Sequence, residues 1–324
     1  MTGPDVSAGA TIADVGEFAL IGRVTAGLGG PSGPVVVGVG DDCAVLRTVG
    51  DVAVSTDTMV ENVHFRRDWS AAGDVGRKAV AACVADAEAM GAVPVGLVVS
   101  LAAPPQTPAQ WVLDFGAGVR DECAHAGVQL VGGDTTAAAQ IVVTATVLAD
   151  LGGLPPVTRG GARPGQVLAM VGRLGWAAAG VAVLGRGFRS PRAVVLAHRV
   201  PEPPYGQGRV AAEAGASALI DVSDGLLADL GHIARASGVT LDVHTAAFEV
   251  AEPQKAVAAA IGGGDPLLFQ LTGGDDHALV GAFDAGSVPP GWRVIGSVAA
   301  GDPGVLVDGA PWAGDTTGWQ HFSS

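Results

Sequence analysis

Short β-branched runs that end in glycine and aspartate recur along this chain, and they set the strongest limit on its fold. Residues 34–39 (PVVVGV) run into Gly40-Asp41-Asp42, residues 51–56 (DVAVST) into Asp57, and residues 219–222 into Ser223-Asp224-Gly225. A strand that stops at glycine and an acid offers carboxylates and backbone groups at one edge of a sheet, where α/β folds place their ligands. Between these runs lie stretches with helical spacing. Residues 76–90 carry Val80 and Val84 and stop at Gly91. Residues 108–126 set Trp111, Phe115 and Val119 at i, i+4 and i+8, and residues 226–236 set Leu226, Leu230 and Ile233 on one face before Gly238. Apolar residues at that spacing bury one stripe of a helix, and glycine closes its end. Further strands are predicted at 93–101, 128–131, 141–148, 167–171, 240–243 and 277–283, with one more helix at 176–184. The alternation predicts an α/β (α+β) protein.

A chain of 324 residues is long for one core. The Gly/Pro-rich stretch 151–165 interrupts the alternation, so two domains are expected, 1–152 and 153–324. Hydrophobic residues make up 48% and charged residues 15%, a globular composition. The formal charge of −14 repels nucleic acid and anionic lipid at long range, so neither is an expected partner. The most apolar windows, 92–104 and 174–185, are shorter than the roughly 20 residues that span a bilayer. Residues 1–13 lack a basic stretch followed by an apolar one, so no export signal is expected. Cys43, Cys83 and Cys123 form no C-x-x-C pair and read as thiols in a reducing cytoplasm.

Chemistry concentrates at the acidic positions. They are Gly40-Asp41-Asp42, Ser55-Thr56-Asp57-Thr58, Asp86, Gly132-Gly133-Asp134-Thr135-Thr136, and Asp221-Val222-Ser223-Asp224-Gly225. All but Asp86 are expected where a strand meets a loop. Taken singly, each has a plain alternative. Asp41-Asp42 and Ser55–Thr58 suit solvated turns, Asp86 suits the solvated edge of a helix, and Ser223 or Asp224 suits a helix N-cap. Taken together they suit hard divalent cations. Carboxylates about 4 Å apart repel by roughly 4 kcal/mol per pair at an effective dielectric of about 20, and a cation relieves that repulsion. Mg²⁺ takes oxygen ligands and keeps positions for water and phosphate, whereas His and Cys at zinc spacing are missing. Gly133-Asp134 offers amides and a carboxylate to a phosphate and its metal. Neither a Walker A sequence nor a protein-kinase Gly-rich loop occurs.

In this order, these motifs resemble the thiamine-monophosphate kinase family, within the superfamily that includes aminoimidazole ribonucleotide synthetase. The resemblance runs from Gly16-Glu17-Phe18 to Gly318-Trp319-Gln320-His321-Phe322 and includes the segment from Ser55 to Phe65, Thr158-Arg159, and Gly273-Gly274-Asp275-Asp276. It implies a two-domain synthetase-like fold whose N-terminal domains pair into a shared β-barrel in a homodimer, with a C-terminal α/β domain. It implies ATP-dependent phosphorylation of thiamine monophosphate to thiamine diphosphate. Asp42, Ser55, Thr56, Asp57, Asp86, Asp134, Asp221 and Asp224 match the ligands of several Mg²⁺ ions, with Asp57, Asp86 and Asp224 nearest the chemistry. Gly133, Asp134, Arg159 and Ser223 match the ATP contacts. His64, Asp275 and Trp319 match the thiamine phosphate contacts.

The chain departs from the family pattern in two places. Gly-Glu-Asp-Tyr-Glu-Leu is usual where Gly274-Asp275-Asp276-His277-Ala278-Leu279 stands, so Asp275 is one methylene shorter than the usual Glu. A common Tyr is replaced near Phe115-Gly116, which shifts adenine packing onto other residues. The competing readings are another ATP-using synthetase of the superfamily and an inactive nucleotide- or metal-binding module. Neither a reactive cysteine before Gly33 nor a C-terminal cysteine marks it as the selenophosphate or hydrogenase-maturation type.

Overall fold

The computed structural model describes residues 7, 9–28, 32–40 and 43–319. They form two compact units. The first takes the described residues up to Ala87 together with Pro94–Gly153, and the second takes Glu88–Val93 and the described residues from Leu154 onward.

In the first unit, two short helices, α1 (Ile12–Val15) and α2 (Glu17–Val24), precede an antiparallel ribbon of β1 (Val35–Val37) and β2 (Val45–Leu46). Then follow β3 (Val52–Val60), α3 (Ala72–Ala89), β4 (Val93–Ala103), α4 (Ala109–Ala126), β5 (Leu130–Ala137) and β6 (Val142–Asp150). Strand β3 and the three strands after it form one four-stranded sheet, ordered β3-β6-β4-β5. Helix α3 is buried almost all round, which its sequence permits because Ala79, Val80, Ala81, Cys83, Val84 and Ala85 are small. Glycine brings α3 and α4 together: a Cβ on Gly118 would lie 2.1 Å from the Gly73 carbonyl, and one on Gly76 would lie 2.2 Å from that of Phe115. Helix α4 stops at Gly127, whose φ of 70° suits the left-handed terminus.

Two acidic segments expected at strand ends lie inside strands instead. Strand β3 does not stop at Asp57. It pairs with β6 in unbroken antiparallel register from Val52–Asp150 to Val60–Val142. Threonine hydroxyls extend that pairing, since Thr56 meets Thr146 at 3.0 Å and Thr58 meets Thr144 at 2.9 Å. Gly132 to Thr136 likewise belong to β5, parallel to β4, and Gly133 allows this because a Cβ there would lie 2.2 Å from the Val99 carbonyl.

The second unit is built on a seven-stranded sheet ordered β13-β12-β9-β11-β7-β10-β8. Its elements in chain order are β7 (Val167–Val171), α5 (Trp176–Leu184), α6 (Arg192–Arg199), α7 (Gln207–Glu213), β8 (Ala218–Asp221), α8 (Leu226–Ser237) and β9 (Thr240–Val243). There follow α9 (Glu252–Ala260), α10 (Leu267–Thr272), β10 (Leu279–Phe283), β11 (Arg293–Ala299), β12 (Gly304–Val307) and β13 (Ala310–Pro311). Adjacent strands run antiparallel except β9 and β12. One core joins Leu226, Leu230 and Ile233 of α8 to Leu168, Ile220, Leu241 and Val280 of the sheet.

A single boundary in 151–165 leaves out one feature, the attachment of Glu88–Val93 to the second unit. The buried Glu88 carboxylate accepts hydrogen bonds from the Gly206 and Gly208 amides at 2.7 and 2.8 Å, and Met90 accepts one from the Val157 amide. No helix among the described residues is long and apolar enough to cross a membrane.

Candidate functional site

In the first unit, strand periodicity puts Ser55, Asp57 and Met59 on one face of β3 and Val54, Thr56 and Thr58 on the other. The Ser55 hydroxyl donates to Asp86 Oδ2 at 2.5 Å, linking the strand to α3. Cys83, one turn before Asp86, sets its sulfur 3.8 Å from the Ser55 carbonyl. Its thiol is pushed up to about 12 by burial and then by the negative charges of Asp86 and Asp57, so it stays protonated beside both carboxylates. Ser55, Asp57 and Asp86 thus form one oxygen-rich patch. The Thr56 side chain is not part of it. It faces the opposite side of the sheet, where its hydroxyl donates to the Ala145 carbonyl at 3.1 Å. Asp42 lies outside the described residues.

Asp134 sits on β5 and is exposed. With Gly132, Gly133 and Thr135 it lines a cavity of about 790 Å³ whose apolar wall includes Leu20 and Val24 of α2 and Val112, Phe115 and Val119 of α4. A Cβ on Gly116 would lie 2.8 Å from Val24, so the glycine keeps α2 close to α4. His64 is tied to the end of β3, its Nδ1 accepting from the Val60 amide at 3.0 Å, so the imidazole hydrogen resides on Nε2.

In the second unit, β8 ends at the buried Asp221, and the turn that follows carries Ser223 and Asp224 into α8. The N-cap is Gly225, and neither Ser223 nor Asp224 caps the helix through its side chain. Asp229, one turn inside the helix, does the work from below, accepting from the Asp224 and Gly225 amides at 3.1 and 3.0 Å. Burial pushes Asp229 up to about 7, with the charges of Asp221 and Asp224 adding to the shift. Ser223 is left exposed and Asp224 half-buried, their side chains uncommitted to the cap.

The loop before β10 packs against this turn. The Asp275 amide donates to the Ser223 carbonyl at 2.8 Å and the His277 amide to Val222 at 3.0 Å. A Cβ on Gly274 would lie 2.1 Å from the Ser223 carbonyl, so only glycine fits there. Asp275 and His277 take φ of 69° and 54°, a left-handed conformation that delays the start of β10 to Leu279 rather than the expected residue 277. The neighbouring acids diverge. Asp276 turns inward and accepts from the Trp176 and Ala177 amides at 2.9 and 3.0 Å, capping α5, and burial pushes it up to about 7. Asp275 stays partly exposed beside two histidines. The Trp319 amide donates to the Asp224 carbonyl at 2.9 Å, and the residue is 59% exposed. Arg159 is exposed, and its charge and that of Asp224 both act on His232. The second unit therefore gathers Asp221, Ser223, Asp224, Asp275 and Trp319.

No group of three or more His, Cys, Asp or Glu among the described residues lies close enough to hold a metal ion by itself. The donors nevertheless fit Mg²⁺. Ser55, Asp57 and Asp86 supply one hydroxyl and two carboxylates without nitrogen or sulfur, and Mg²⁺ commonly binds through one or two carboxylates and fills its shell with water and substrate phosphate. Four residues that shape the second unit's loops were not singled out as site residues from sequence: His198, Asp229, Asp276 and His277. Only the acid pair after Gly273-Gly274 and the i+4 spacing of Asp229 from Gly225 signalled them.

Residues 40–150 match the model of the AIR synthase related protein, N-terminal domain. A thiamine-monophosphate kinase of Mycobacterium tuberculosis (strain ATCC 25618 / H37Rv) is 48% identical over 96% of this chain and 93% of its own. The chain belongs to the thiamine-monophosphate kinase family. Solved structures agree. The thiamine-monophosphate kinase of Stenotrophomonas maltophilia K279a has a TM-score of 0.78 at 29% identity, over 90% of this chain and 95% of its own. AaThiL complexed with AMPPCP and TMP has a TM-score of 0.79 at 27% identity, over 98% and 100% of the two chains. In this thiamine-monophosphate kinase family member, the mixed α/β fold is that of its relatives.

Proposed function

We propose that the chain transfers the γ-phosphoryl group of ATP onto thiamine monophosphate, giving thiamine diphosphate and ADP. Family membership over nearly the whole length supports the substrates. The observation that carries the chemistry is the Ser55–Asp57–Asp86 patch, an all-oxygen donor set fixed by a strand and a helix. Thiamine monophosphate is already deprotonated on phosphate near neutral pH, so its oxygen attacks without a general base, and no phospho-enzyme is needed. Donor and acceptor are both anionic, and the cost of the reaction is largely their repulsion. When bound, Mg²⁺ would supply positive charge to offset it.

Roles divide by unit. In the first, Asp42, Ser55, Asp57, Asp86 and Asp134 serve the cations, as does Thr56, whose hydroxyl faces elsewhere and whose contribution is then a backbone one. Gly133 and Asp134 serve the nucleotide phosphates, and the adjoining cavity, with Phe115 and Val119, suits the adenine in place of the usual Tyr. His64 serves the thiamine phosphate. In the second, Asp221 and Asp224 serve the cations, Arg159 and Ser223 the nucleotide, and Asp275 and Trp319 the thiamine ring. The working form is a homodimer in the cytoplasm, paired through the first unit into a shared barrel. Exposed Val36, Val49 and Val54 give that unit apolar surface to bury against a second copy. The test is an assay of purified protein with ATP and Mg²⁺ against thiamine monophosphate, thiamine and aminoimidazole precursors. Thiamine diphosphate formed only from the monophosphate supports the reading. Turnover of an aminoimidazole substrate instead assigns another superfamily reaction.

A further inference from the structure

The two buried histidines of the second unit, His198 on α6 and His277 before β10, have no part in the roles above, yet they flank its acidic loop. His277 Nδ1 lies 3.0 Å from Asp221 Oδ2. A carboxylate only accepts, so Nδ1–H donates. The other ring nitrogen, Nε2, lies 3.9 Å from Asp275 Oδ1, and His198 Nδ1 lies 3.7 Å from Asp275 Oδ2. His198 and His277 are 5% and 6% exposed, while the Asp275 side chain keeps 33%. The imidazoles thus back the carboxylate from the inside and leave its outer edge open to a ligand.

The backbone fixes this arrangement. Asp275 and His277 both hold left-handed φ, a conformation that is strained for a residue other than glycine and persists only where surrounding contacts enforce it. Here the enforcing contacts are the hydrogen bonds that the Asp275 and His277 amides donate to the Ser223 and Val222 carbonyls. With this backbone the imidazole meets Asp221 through Nδ1 and turns its far edge toward Asp275.

We propose that His277 is a positioning residue that acts on two functional carboxylates, holding Asp221 by the hydrogen bond from Nδ1–H and packing the far edge of its ring beside Asp275, with the His198 ring packed beside Asp275 as well. This rests on the reading of Asp221 as a cation ligand and Asp275 as the contact to the positively charged thiazolium. With one oxygen of Asp221 engaged by His277, the other is directed to the cation. With Asp275 held between two rings, its shorter side chain is kept toward the substrate.

The two arms separate by isosteres. His277→Asn keeps an amide donor where Nδ1 stands and loses the reach of Nε2, and asparagine tolerates left-handed φ. His277→Gln keeps a side chain that reaches to where Nε2 stands and loses the donor at Nδ1. Binding of Mn²⁺ alone is followed by its spin-resonance signal, and binding of thiamine monophosphate by calorimetry. The expected result is that His277→Asn leaves Mn²⁺ affinity within about twofold and weakens thiamine monophosphate about tenfold, while His277→Gln does the reverse, the usual scale for residues that orient a ligand. His198→Phe weakens thiamine monophosphate alone and raises KM more than it lowers kcat. If both His277 variants shift the two ligands equally, or neither shifts either, the proposal is overturned. Should His277→Gln not fold, His277→Asn and His198→Phe decide, and unchanged thiamine monophosphate affinity in both overturns it. If the wild-type chain binds Mn²⁺ but no thiamine monophosphate, the kinase reading fails, and the Mn²⁺ affinities still test the Asp221 arm.

Discussion

The oxygen patch of the first unit and the paired loops of the second are both acidic, but they are held in different ways. Ser55, Asp57 and Asp86 project from a regular strand and a regular helix, and their convergence follows from strand alternation and one hydrogen bond between the elements. Asp221 ends strand β8, and Ser223, Asp224 and Asp275 lie in the turns beside it. Those turns keep their shape through left-handed residues, through Gly274, and through two inward carboxylates, Asp229 and Asp276, that bind loop and helix amides. A site on regular elements needs only its functional side chains. A site on turns needs acids of its own beneath it, and those acids are forced into the protein at the cost of desolvation.

Substitutions at the two regions should therefore separate chemistry from support. The largest effect is expected for Asp57→Asn and Asp224→Asn, which remove a carboxylate from each region. Turnover should fall by about 10²–10³-fold, the scale for removing one group that stabilises transition-state charge, with Tm nearly unchanged. Near-normal turnover in both removes the cation-ligand reading.

Next comes the support beneath the turns. Asp229 and Asp276 titrate at about 7 in the folded chain, against an ordinary value of 3.8. Between those values the folded chain keeps protons that the unfolded chain has lost. Their contribution to stability is thus full below the unfolded value and is lost as pH rises through about 7. Asp276→Asn should reduce the decline of Tm between about pH 4 and about pH 7, measured by thermal unfolding across that range. A decline as steep as the wild type would mean that Asp276 ionises elsewhere.

The smallest effect is expected for Trp319→Ala. Loss of an exposed indole that stacks on a cationic ring should weaken thiamine monophosphate about tenfold, within the range for a desolvated cation–π contact, and leave ATP affinity unchanged. Calorimetric titration of each ligand checks this, and equal affinities in mutant and wild type would remove Trp319 from the substrate site.

The same contrast explains what was legible in the sequence. Helices α3, α4, α5 and α8 and most strands of the first unit follow from apolar spacing and glycine stops, because each buries a face that its own residues define. Ser55 to Thr58 and Gly132 to Thr136 read as strand ends, since Asp and Gly are poor strand formers, and pairing with β6 and β4 overrode that preference. Helices α6, α7, α9 and α10 were not anticipated; Pro191 precedes α6, and Pro266 precedes α10. The acids Asp41, Asp57, Asp134, Asp221 and Asp224 stood out because of their glycine, serine and threonine neighbours, and Asp86 because it is a carboxylate among Val84, Ala85, Ala87 and Met90. Asp229 and Asp276 did not, because their partners are backbone amides, in the case of Asp276 about a hundred residues away, and an amide leaves no mark in a sequence.

The most direct measurement is a ³¹P spectrum of the purified chain incubated with ATP, Mg²⁺ and thiamine monophosphate. The expected result is growth of thiamine diphosphate signals in step with ADP, stopped by chelation of the divalent ion and lost in Asp57→Asn. ADP released without thiamine diphosphate, or transfer that continues at full rate after chelation, would contradict phosphoryl transfer that depends on cations held by these carboxylates.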